Sequence, residues 1–262
     1  QPLGYQIYGK DPSQLAEAAR WLADHGAPLI DVNMGCPQKK ISGRGAGAGL
    51  LRKPDLAVEI TRRVIESVKV PVTVKIRLGW DNAATAVDLA REFEKLGVAA
   101  ITVHGRTRMQ GFAGRSDWEA IADVRDVVDK VPVIANGDIV SVESARQVIQ
   151  TTGCAGIMLG RQPFKVPWII RDIARDLNGE PPLPPPNREE HLALMLKHFE
   201  LCAGMYGDKL TVLQFRKWVP QYLKGKSVER VTLAALQQIV TLQKQPAVPD
   251  ANKEQPAQGN AD

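Results

Sequence analysis

Short apolar segments alternate with amphipathic segments through residues 1–178, and this alternation restricts the fold more than any other feature of the chain. Segments that are apolar on both faces are typical of parallel strands covered by helices. We therefore predict six consecutive strand–helix units, with strands at residues 5–8, 29–32, 70–76, 99–104, 131–135 and 155–159.

Polar or glycine residues stand at the end of nearly every predicted strand. In a closed parallel barrel these ends converge on one face, where the active site of that fold lies. In an open doubly wound sheet they would be spread along an edge. We therefore predict an α/β fold of the TIM (β/α)8 barrel type, with a site built from Gln6, Asn33, Lys75, Arg77, His104, Arg106, Asn136, Asp138, Gly160 and Arg161.

Two glycines indicate which barrel units are present. Gly137 follows the fifth predicted strand and Gly160 follows the sixth. Barrels commonly bind phosphate at the loops after strands seven and eight. We therefore number the predicted strands three to eight and expect a barrel that lacks its first two βα units, which would leave two strand edges unpaired.

The composition changes at a proline-rich stretch that follows the predicted barrel. Such a stretch favours a stiff linker of polyproline type. Three amphipathic segments, at 191–203, 210–223 and 229–242, then predict a small helical domain. The last residues are rich in Pro, Gln, Ala and Asn, which is typical of disorder. The predicted parts are a catalytic barrel at 1–178, a linker at 179–186, a helical domain at 187–244 and a disordered tail at 245–262.

The composition limits the classes of protein to which the chain can belong. The 44% hydrophobic and 24% charged residues are ordinary for a soluble globular chain, and no apolar run is long enough to span a membrane. The 3 cysteines lie far apart without CxxC spacing, so we expect neither a metal site nor disulfides. We predict a cytoplasmic monomer. The net charge of +5 is compatible with a nucleic-acid partner.

Cys36 is the candidate catalytic residue. It leaves an apolar strand within the segment Asn33-Met34-Gly35-Cys36-Pro37 and enters a basic, glycine-rich loop. A thiol with a reference pKa of about 8.5 is mostly protonated at neutral pH and can donate a proton. Cys154 and Cys202 stand in apolar stretches, where a free cysteine is more often a small buried hydrophobe. The GRGAGAG segment at 43–49 follows a loop, so we interpret it as a hinge and lid.

Other strand-end residues suit a phosphorylated ligand. Lys75 stands inside an apolar strand, where a cation is costly unless it meets an anion or an acceptor. A structural ion pair is the simpler alternative for Lys75, and a structural role is the alternative for His104. The Asn136–Asp138 turn and Gly160-Arg161 offer N–H groups and a guanidinium for a phosphate. In this order along the chain, these residues predict a binding site for a phosphorylated planar cofactor across the mouth of the barrel.

Seven segments carry a resemblance to a known family: YQIYG, DVNMGCPQKK, VPVTVKIRLGW, ITVHGRTR, VPVIANGDI, IMLGR and FRKWVPQYL. In their order and spacing the sequence resembles the tRNA-dihydrouridine synthases, most of all the bacterial B-type branch. The resemblance implies a barrel with FMN as cofactor, NADPH as reductant and uridine in tRNA as substrate. The family's first strand, with its Pro–Met–Gly segment, has no counterpart in this sequence.

The resemblance also implies roles for individual residues. It makes Cys36 the general acid that protonates C5 of the uracil, while the flavin N5 gives a hydride to C6. It places Gln6, Lys75, His104, Asn136, Gly137, Asp138, Gly160 and Arg161 around FMN. We assign to the tRNA substrate Asn33, Lys39, Lys40, Arg77, Arg106, Arg216 and Lys217. Further contacts of the helical domain with RNA are expected from Lys209, Trp218, Tyr222, Lys224 and Lys226.

Two alternatives to tRNA reduction are considered. An FMN barrel of the dihydroorotate or dihydropyrimidine dehydrogenase kind would reduce a free pyrimidine, but it would not need a basic, aromatic helical domain. A non-catalytic RNA-binding remnant is the second alternative, because two barrel units are expected to be missing.

Overall fold

The computed structural model describes residues 3–219 and residue 222. They form two compact units. The first contains residues 3–163 together with Pro167–Pro182, and the second contains Phe164–Val166 together with the described residues from Leu183 onward.

The first unit is built on a parallel sheet of six strands in the order β1-β2-β3-β4-β5-β6. Every neighbouring pair is parallel and consecutive in sequence. A doubly wound sheet reverses its strand order at a switch point, so this sequential order confirms the barrel type. The described residues hold six of its eight βα units: β1 Tyr5–Ile7, β2 Ile30–Met34, β3 Val72–Arg77, β4 Ala100–His104, β5 Val133–Asn136 and β6 Gly156–Met158.

Helices follow the strands as the alternation predicts. The Asp11 carboxylate accepts from the N–H groups of Ser13 and Gln14 and begins the first helix. Gly97 and Gly153 end two others in the left-handed conformation, which glycine adopts without strain. The helices of this unit are α1 Pro12–Asp24, α2 Lys39–Ser42, α3 Pro54–Ser67, α4 Ala84–Leu96, α5 Trp118–Asp126, α6 Val142–Thr152 and α7 Ile169–Leu177.

The two faces of the sheet differ in polarity. Side chains alternate across a strand, so every second residue shares a face. One face of β2 and β3 is fully apolar and buried, with Ile30, Val32, Met34, Val72, Val74 and Ile76. The other face of the same strands carries Asp31, Asn33, Thr73 and Lys75, all half-buried. This polar face therefore carries the strand-end residues that were predicted to converge.

The glycine-rich segment after β2 differs from its prediction as a hinge and lid. Residues Gly47–Arg52 form a short 3-10 helix, and Gly47 to Leu51 are buried. A Cβ at Gly49 would lie 2.5 Å from the carbonyl oxygen of Ser42. Glycine is therefore required here for close backbone packing. The lid interpretation is wrong for this half of the segment, whereas Lys39, Lys40, Gly43 and Arg44 are exposed.

The second unit begins within the proline-rich stretch. Residues 180–187 contain no helix or strand, and Asn187 caps α8 (Arg188–Tyr206) through a reciprocal capping box with Glu190. Helix α9 spans Asp208–Phe215. The small core of the second unit contains Met195, Phe215, Val219 and Tyr222. The predicted helix at 229–242 and the predicted tail at 245–262 lie outside the described residues.

Within the described part of the chain, none of the helices is long and apolar enough to cross a membrane. Residues 3–219 and 222 also contain no group of three or more His, Cys, Asp or Glu side chains that could hold a metal ion.

Candidate functional site

A polar network crosses the ends of the first three strands. Gln6 Nε2 donates to Asp31 Oδ2 at 2.7 Å, and Thr73 Oγ1 donates to Asp31 Oδ1 at 2.7 Å. Asn33 Nδ2 donates to Gln6 Oε1 at 2.8 Å. The network fixes the side chain of Asn33, whose Oδ1 then remains as an acceptor for the loop that follows β2.

Cys36 is held by its backbone at the end of β2. Asn33 Oδ1 accepts from the N–H groups of Gly35 and Cys36 at 3.1 Å and 3.0 Å. The carbonyl oxygen of Cys36 accepts from Ala48 N at 3.1 Å. The thiol itself is free and half-buried. Both peptide groups of Cys36 are thus anchored, while its side chain stays available for chemistry.

Lys75 is a cation with a neutral partner. Its Nζ donates to Asn136 Oδ1 at 3.0 Å, and Asn136 Nδ2 donates to the Met158 carbonyl at 2.7 Å. Burial, followed by the neighbouring Arg77 charge, lowers the pKa of Lys75 to about 8, although Asp31 and Cys36 oppose that shift. The alternative of a structural ion pair finds no support, because the hydrogen bond of Lys75 goes to an amide. Lys75 therefore keeps charge for an incoming anion.

Arg77 and Arg106 are bound by the protein itself. Both side chains are 2% exposed. Arg77 donates to the carbonyl oxygens of Gly35, Thr107 and Gly111 at 2.9, 3.0 and 2.8 Å. Burial, followed by the Arg106 charge, lowers the pKa of Arg77 to about 10.

Arg106 donates to the carbonyl oxygens of Ala113 and Gly114 at 3.1 and 2.8 Å. Its Nη2 also donates to Asp138 Oδ2 at 2.6 Å. We therefore correct the assignment of Arg77 and Arg106 to the substrate. Their guanidinium groups shape the loop after β4, residues 105–116, and their charges act on the site from beneath.

Asp138 organises cations at the end of β5. Its φ of 57° and that of Gly137, 118°, both lie in the left-handed region, a conformation that Asp tolerates better than most residues. The carboxylate also accepts from Ser116 N at 2.8 Å. Burial raises the pKa of Asp138, but the bonds from Ser116 and Arg106 outweigh it, so the pKa is lowered overall. The carboxylate of Asp138 is thus a structural anion that Arg106 and Ser116 already engage.

Arg161 and Gly160 lie near the same turn. The Arg161 guanidinium comes 4.0 Å from Asp138 Oδ1 and is 67% exposed. Nothing stands within 4 Å of the position that a Cβ on Gly160 would take. This corner therefore combines an accessible cation with open space, as a phosphate site requires.

A groove of about 590 Å³ also lies beside Asp138. Three carboxylates line it, those of Asp117, Glu119 and Asp138, with Arg115 as the basic residue. Because carboxylates repel phosphate, the groove is a poor anion site.

His104 is a buried histidine without a full set of partners. Its Nδ1 and Arg106 Nη1 are buried nitrogens that lack a hydrogen-bond partner. Burial, followed by the charges of Arg77, Lys75 and Arg106, lowers the pKa of His104 to about 3, with Asp138 opposing. His104 is therefore neutral at physiological pH. Buried nitrogens left unpaired are costly, which favours a ligand that brings acceptor atoms to them.

We expect His104 to make stability depend on pH. The native protein binds no proton here until about pH 3, whereas the unfolded chain binds one below about 6.5. The unfolded state thus takes up more protons, and stability falls as pH falls. Between pH 6 and 5 the loss is about 1.2 kcal/mol. Urea unfolding at pH 7, 6 and 5 should show that His104→Gln removes this part of the slope.

His25→Gln is the matched control, because His25 is an exposed histidine of the same unit. His25 lies outside the surroundings of His104, so His25→Gln should leave the His104 part of the slope in place. An unchanged slope in His104→Gln would show that His104 does not carry the effect.

The structure brings most of the predicted residues together. Those of the first unit that share hydrogen bonds, ion pairs or an electrostatic contact are Gln6, Asn33, Cys36, Lys75, Arg77, His104, Arg106, Asn136, Asp138 and Arg161. The carbonyl oxygen of Gly137 accepts from Trp118 Nε1. Lys39 and Lys40 are exposed on α2 and lie outside this network of contacts. Arg216 and Lys217 are exposed in the second unit, and Lys217 Nζ lies 5.8 Å from the Trp218 ring centroid. Lys224 and Lys226 lie outside the described residues.

Sequence reasoning missed four residues of this region. Asp31 and Thr73 stand two positions before Asn33 and Lys75, so the two-residue period of a strand would have found them. Ser116 and Phe112 are in the loop after β4, where no periodicity exists.

Comparison with known proteins adds independent findings. The family model described as dihydrouridine synthase matches residues 1–261. A probable tRNA-dihydrouridine synthase of Rhodobacter capsulatus is 42% identical over 225 residues, which cover 86% of this chain and 69% of that protein. The tRNA-dihydrouridine synthase B of Xanthomonas campestris is 43% identical over 224 residues, covering 85% and 67%. The chain thus spans about two thirds of the length of these relatives.

A solved structure shows likeness of fold alone. The mandelate racemase/muconate lactonizing family protein from Azoarcus sp. EbN1 is similar with a TM-score of 0.50 at 18% identity. The match covers 69% of this chain and 42% of that one.

Proposed function

The chain belongs to the dihydrouridine synthase family, in a branch similar to the B-type enzymes, and we propose that it reduces uridine in tRNA to 5,6-dihydrouridine with FMN as cofactor and NADPH as reductant. One observation carries the proposal. A free thiol, Cys36, is anchored at a strand end beside a polar sheet face that bears the cation Lys75. Barrel enzymes place their chemistry at this end of the strands.

The residues present fit a phosphorylated flavin. His104 Nδ1 and Arg106 Nη1 lack partners, and Lys75 is bonded to a neutral amide. A flavin ring offers carbonyl oxygens as acceptors for the N–H groups of Arg106 and Lys75, and its polar ring atoms can pair with His104 in either tautomer. Gly160 and Arg161 supply open space and a cation for its phosphate. When bound, the flavin would supply the hydride that uracil C6 accepts, once NADPH has reduced it.

The roles of the chain's own residues follow from their placement. Cys36 Sγ holds the proton that C5 of the uracil receives, and Asn33 sets the position of Cys36 through two N–H bonds. Lys75 holds its ammonium where negative charge develops on the cofactor or on substrate carbonyls. Gln6 and Asp31 fix Asn33 in turn. The protein thus positions and protonates, which is the usual division of labour in flavoenzymes.

Exposed cations of both units supply the tRNA contacts in this proposal. Lys39 and Lys40 follow Cys36 on α2, and Arg216 and Lys217 adjoin Trp218 in the second unit. Lysine and arginine bind the phosphate backbone, and an aromatic ring can stack on an unpaired base. The target uracil must leave its stack to reach Cys36. A tRNA substrate places the protein in the cytoplasm, and we propose that it acts there as a monomer.

Nucleoside mass spectrometry of tRNA tests the proposed function. Total tRNA from cells that carry the gene for this chain should contain a dihydrouridine that is missing when the gene is deleted. Restoring the gene should restore the modified nucleoside, and a Cys36→Ala allele should not. Identical dihydrouridine content with and without the gene would refute the proposed function.

A further inference from the structure

Phe112 is a large apolar side chain that the loop after β4 holds in an exposed position. Its ring is 53% exposed. The peptide groups on either side are anchored from below, because Arg77 donates to Gly111 O at 2.8 Å and Arg106 donates to Ala113 O at 3.1 Å. Both guanidinium groups are buried. The backbone that carries the ring is therefore held in place, which lowers the entropy lost when the ring binds a partner.

Guanidinium groups from two parts of the site approach the ring of Phe112. On one side the Arg77 guanidinium carbon lies 5.5 Å from its centroid, and the same guanidinium bonds the carbonyl of Gly35, the residue before Cys36. On the other side the Arg161 guanidinium carbon lies 4.9 Å from the centroid. Phe112 thus contacts one arginine that bonds the residue before Cys36 and another that belongs to the proposed phosphate corner.

A single exposed phenylalanine is common and needs no explanation. An aromatic ring flanked by two guanidinium groups is less common. Nucleobases stack both on aromatic rings and on the planes of guanidinium groups. Arg161 is 67% exposed and its carboxylate partner, Asp138, is 4.0 Å away. So weak a tether lets Arg161 turn from the ring toward the phosphate assigned to it, which leaves the ring of Phe112 to a base. The positive charge also suits the polyanion that brings the base.

We propose that Phe112 forms a stacking site for a nucleobase of the RNA substrate adjacent to the uracil that is reduced. This inference rests on the proposed function and names the part of the substrate that the loop after β4 binds. Stacking stabilises a nucleotide that has left its helix, which the reaction requires of the target and its neighbour.

The test compares Phe112→Leu with Phe112→Tyr. Leucine keeps an apolar side chain but removes the aromatic ring, whereas tyrosine keeps an aromatic ring. Using an unmodified tRNA transcript, we expect Phe112→Leu to raise the Kd and the KM about ten- to hundred-fold. Phe112→Tyr should stay within about threefold of the parent, and kcat should change little in either variant. The bound FMN content, measured from flavin absorbance, should be the same in all three proteins.

Salt dependence separates stacking from charge. Raising salt weakens tRNA binding for the parent and for Phe112→Leu alike, so the ratio of their Kd values should stay constant. Met109→Ala is the matched control, because Met109 is a 61% exposed apolar residue of the same loop. It should leave the Kd at the parental value.

Several outcomes would overturn the stacking site. They are a parental Kd in Phe112→Leu, an equal loss in Phe112→Tyr or Met109→Ala, a ratio of Kd values that changes with salt, and a loss of FMN in place of tRNA affinity. If the parent itself forms no dihydrouridine, the proposed function fails. The Kd comparison still decides the stacking site in that case.

Discussion

Replacing Cys36 with alanine is expected to lower the rate of dihydrouridine formation in tRNA at least about 100-fold, because a positioned general acid contributes about 10²–10⁴-fold. NADPH-dependent bleaching of the flavin should continue at the parental rate, since Cys36 is bonded to the protein through its backbone and the thiol is not needed to hold the loop. Stopped-flow absorbance measures the first half-reaction. Mass spectrometry of digested tRNA measures the second.

Cys202→Ala is the matched control for this prediction. Cys202 is also a free, half-buried thiol, but it belongs to the second unit. It should leave both half-reactions unchanged. If Cys36→Ala forms dihydrouridine at the parental rate, another group donates the proton and the assignment of Cys36 is wrong.

Asp138→Asn is expected to destabilise the protein by about 3 kcal/mol, since removing one partner of a buried ion pair leaves the other charge without compensation. The charge that would lose its partner is that of Arg106, which is 2% exposed and already has one unpaired nitrogen. Asparagine tolerates the φ of 57° at this position, so backbone strain adds little. Thermal unfolding should show a Tm lower by about 6–12 °C.

The stability difference between Asp138→Asn and the parent should depend on pH. The native pKa of Asp138 is lowered, so its contribution is complete above the unfolded value of about 3.9 and is lost as pH falls through the native pKa. Asp126→Asn is the control, because its partner Arg125 is 52% exposed and such surface pairs contribute little. Equal changes in Tm for the two variants would show that the pair of Asp138 and Arg106 contributes no more stability than a surface pair.

Strand positions and the barrel type could be predicted because apolar runs and the residues that end them are local properties of the sequence. The predicted strand at 70–76 and the observed β3, Val72–Arg77, differ only at their ends. Cys36, Lys75 and His104 also stood out locally, as reactive or polar residues in apolar surroundings. Their shared location followed from one rule, that parallel strands present their ends on the same side.

Partners distant in sequence could not be predicted in the same way. Arg77 and Arg106 are cations at strand ends, and nothing local distinguishes a guanidinium that binds substrate from one that binds loop carbonyls. The structure resolves this through the bonds to Gly111 and Ala113. Gly49 is similar, because glycine in a sequence indicates either flexibility or close packing, and only the 2.5 Å approach to Ser42 distinguishes the two.

One measurement tests directly whether the substrate is uridine in tRNA or a free pyrimidine. The purified chain, loaded with FMN, is incubated with NADPH and either an unmodified tRNA transcript or free uridine and uracil, and the products are quantified by mass spectrometry. We expect NADPH-dependent dihydrouridine in the tRNA and no reduction of the free pyrimidines, as the proposed function requires. Reduction of a free pyrimidine while the tRNA remains unchanged would contradict it.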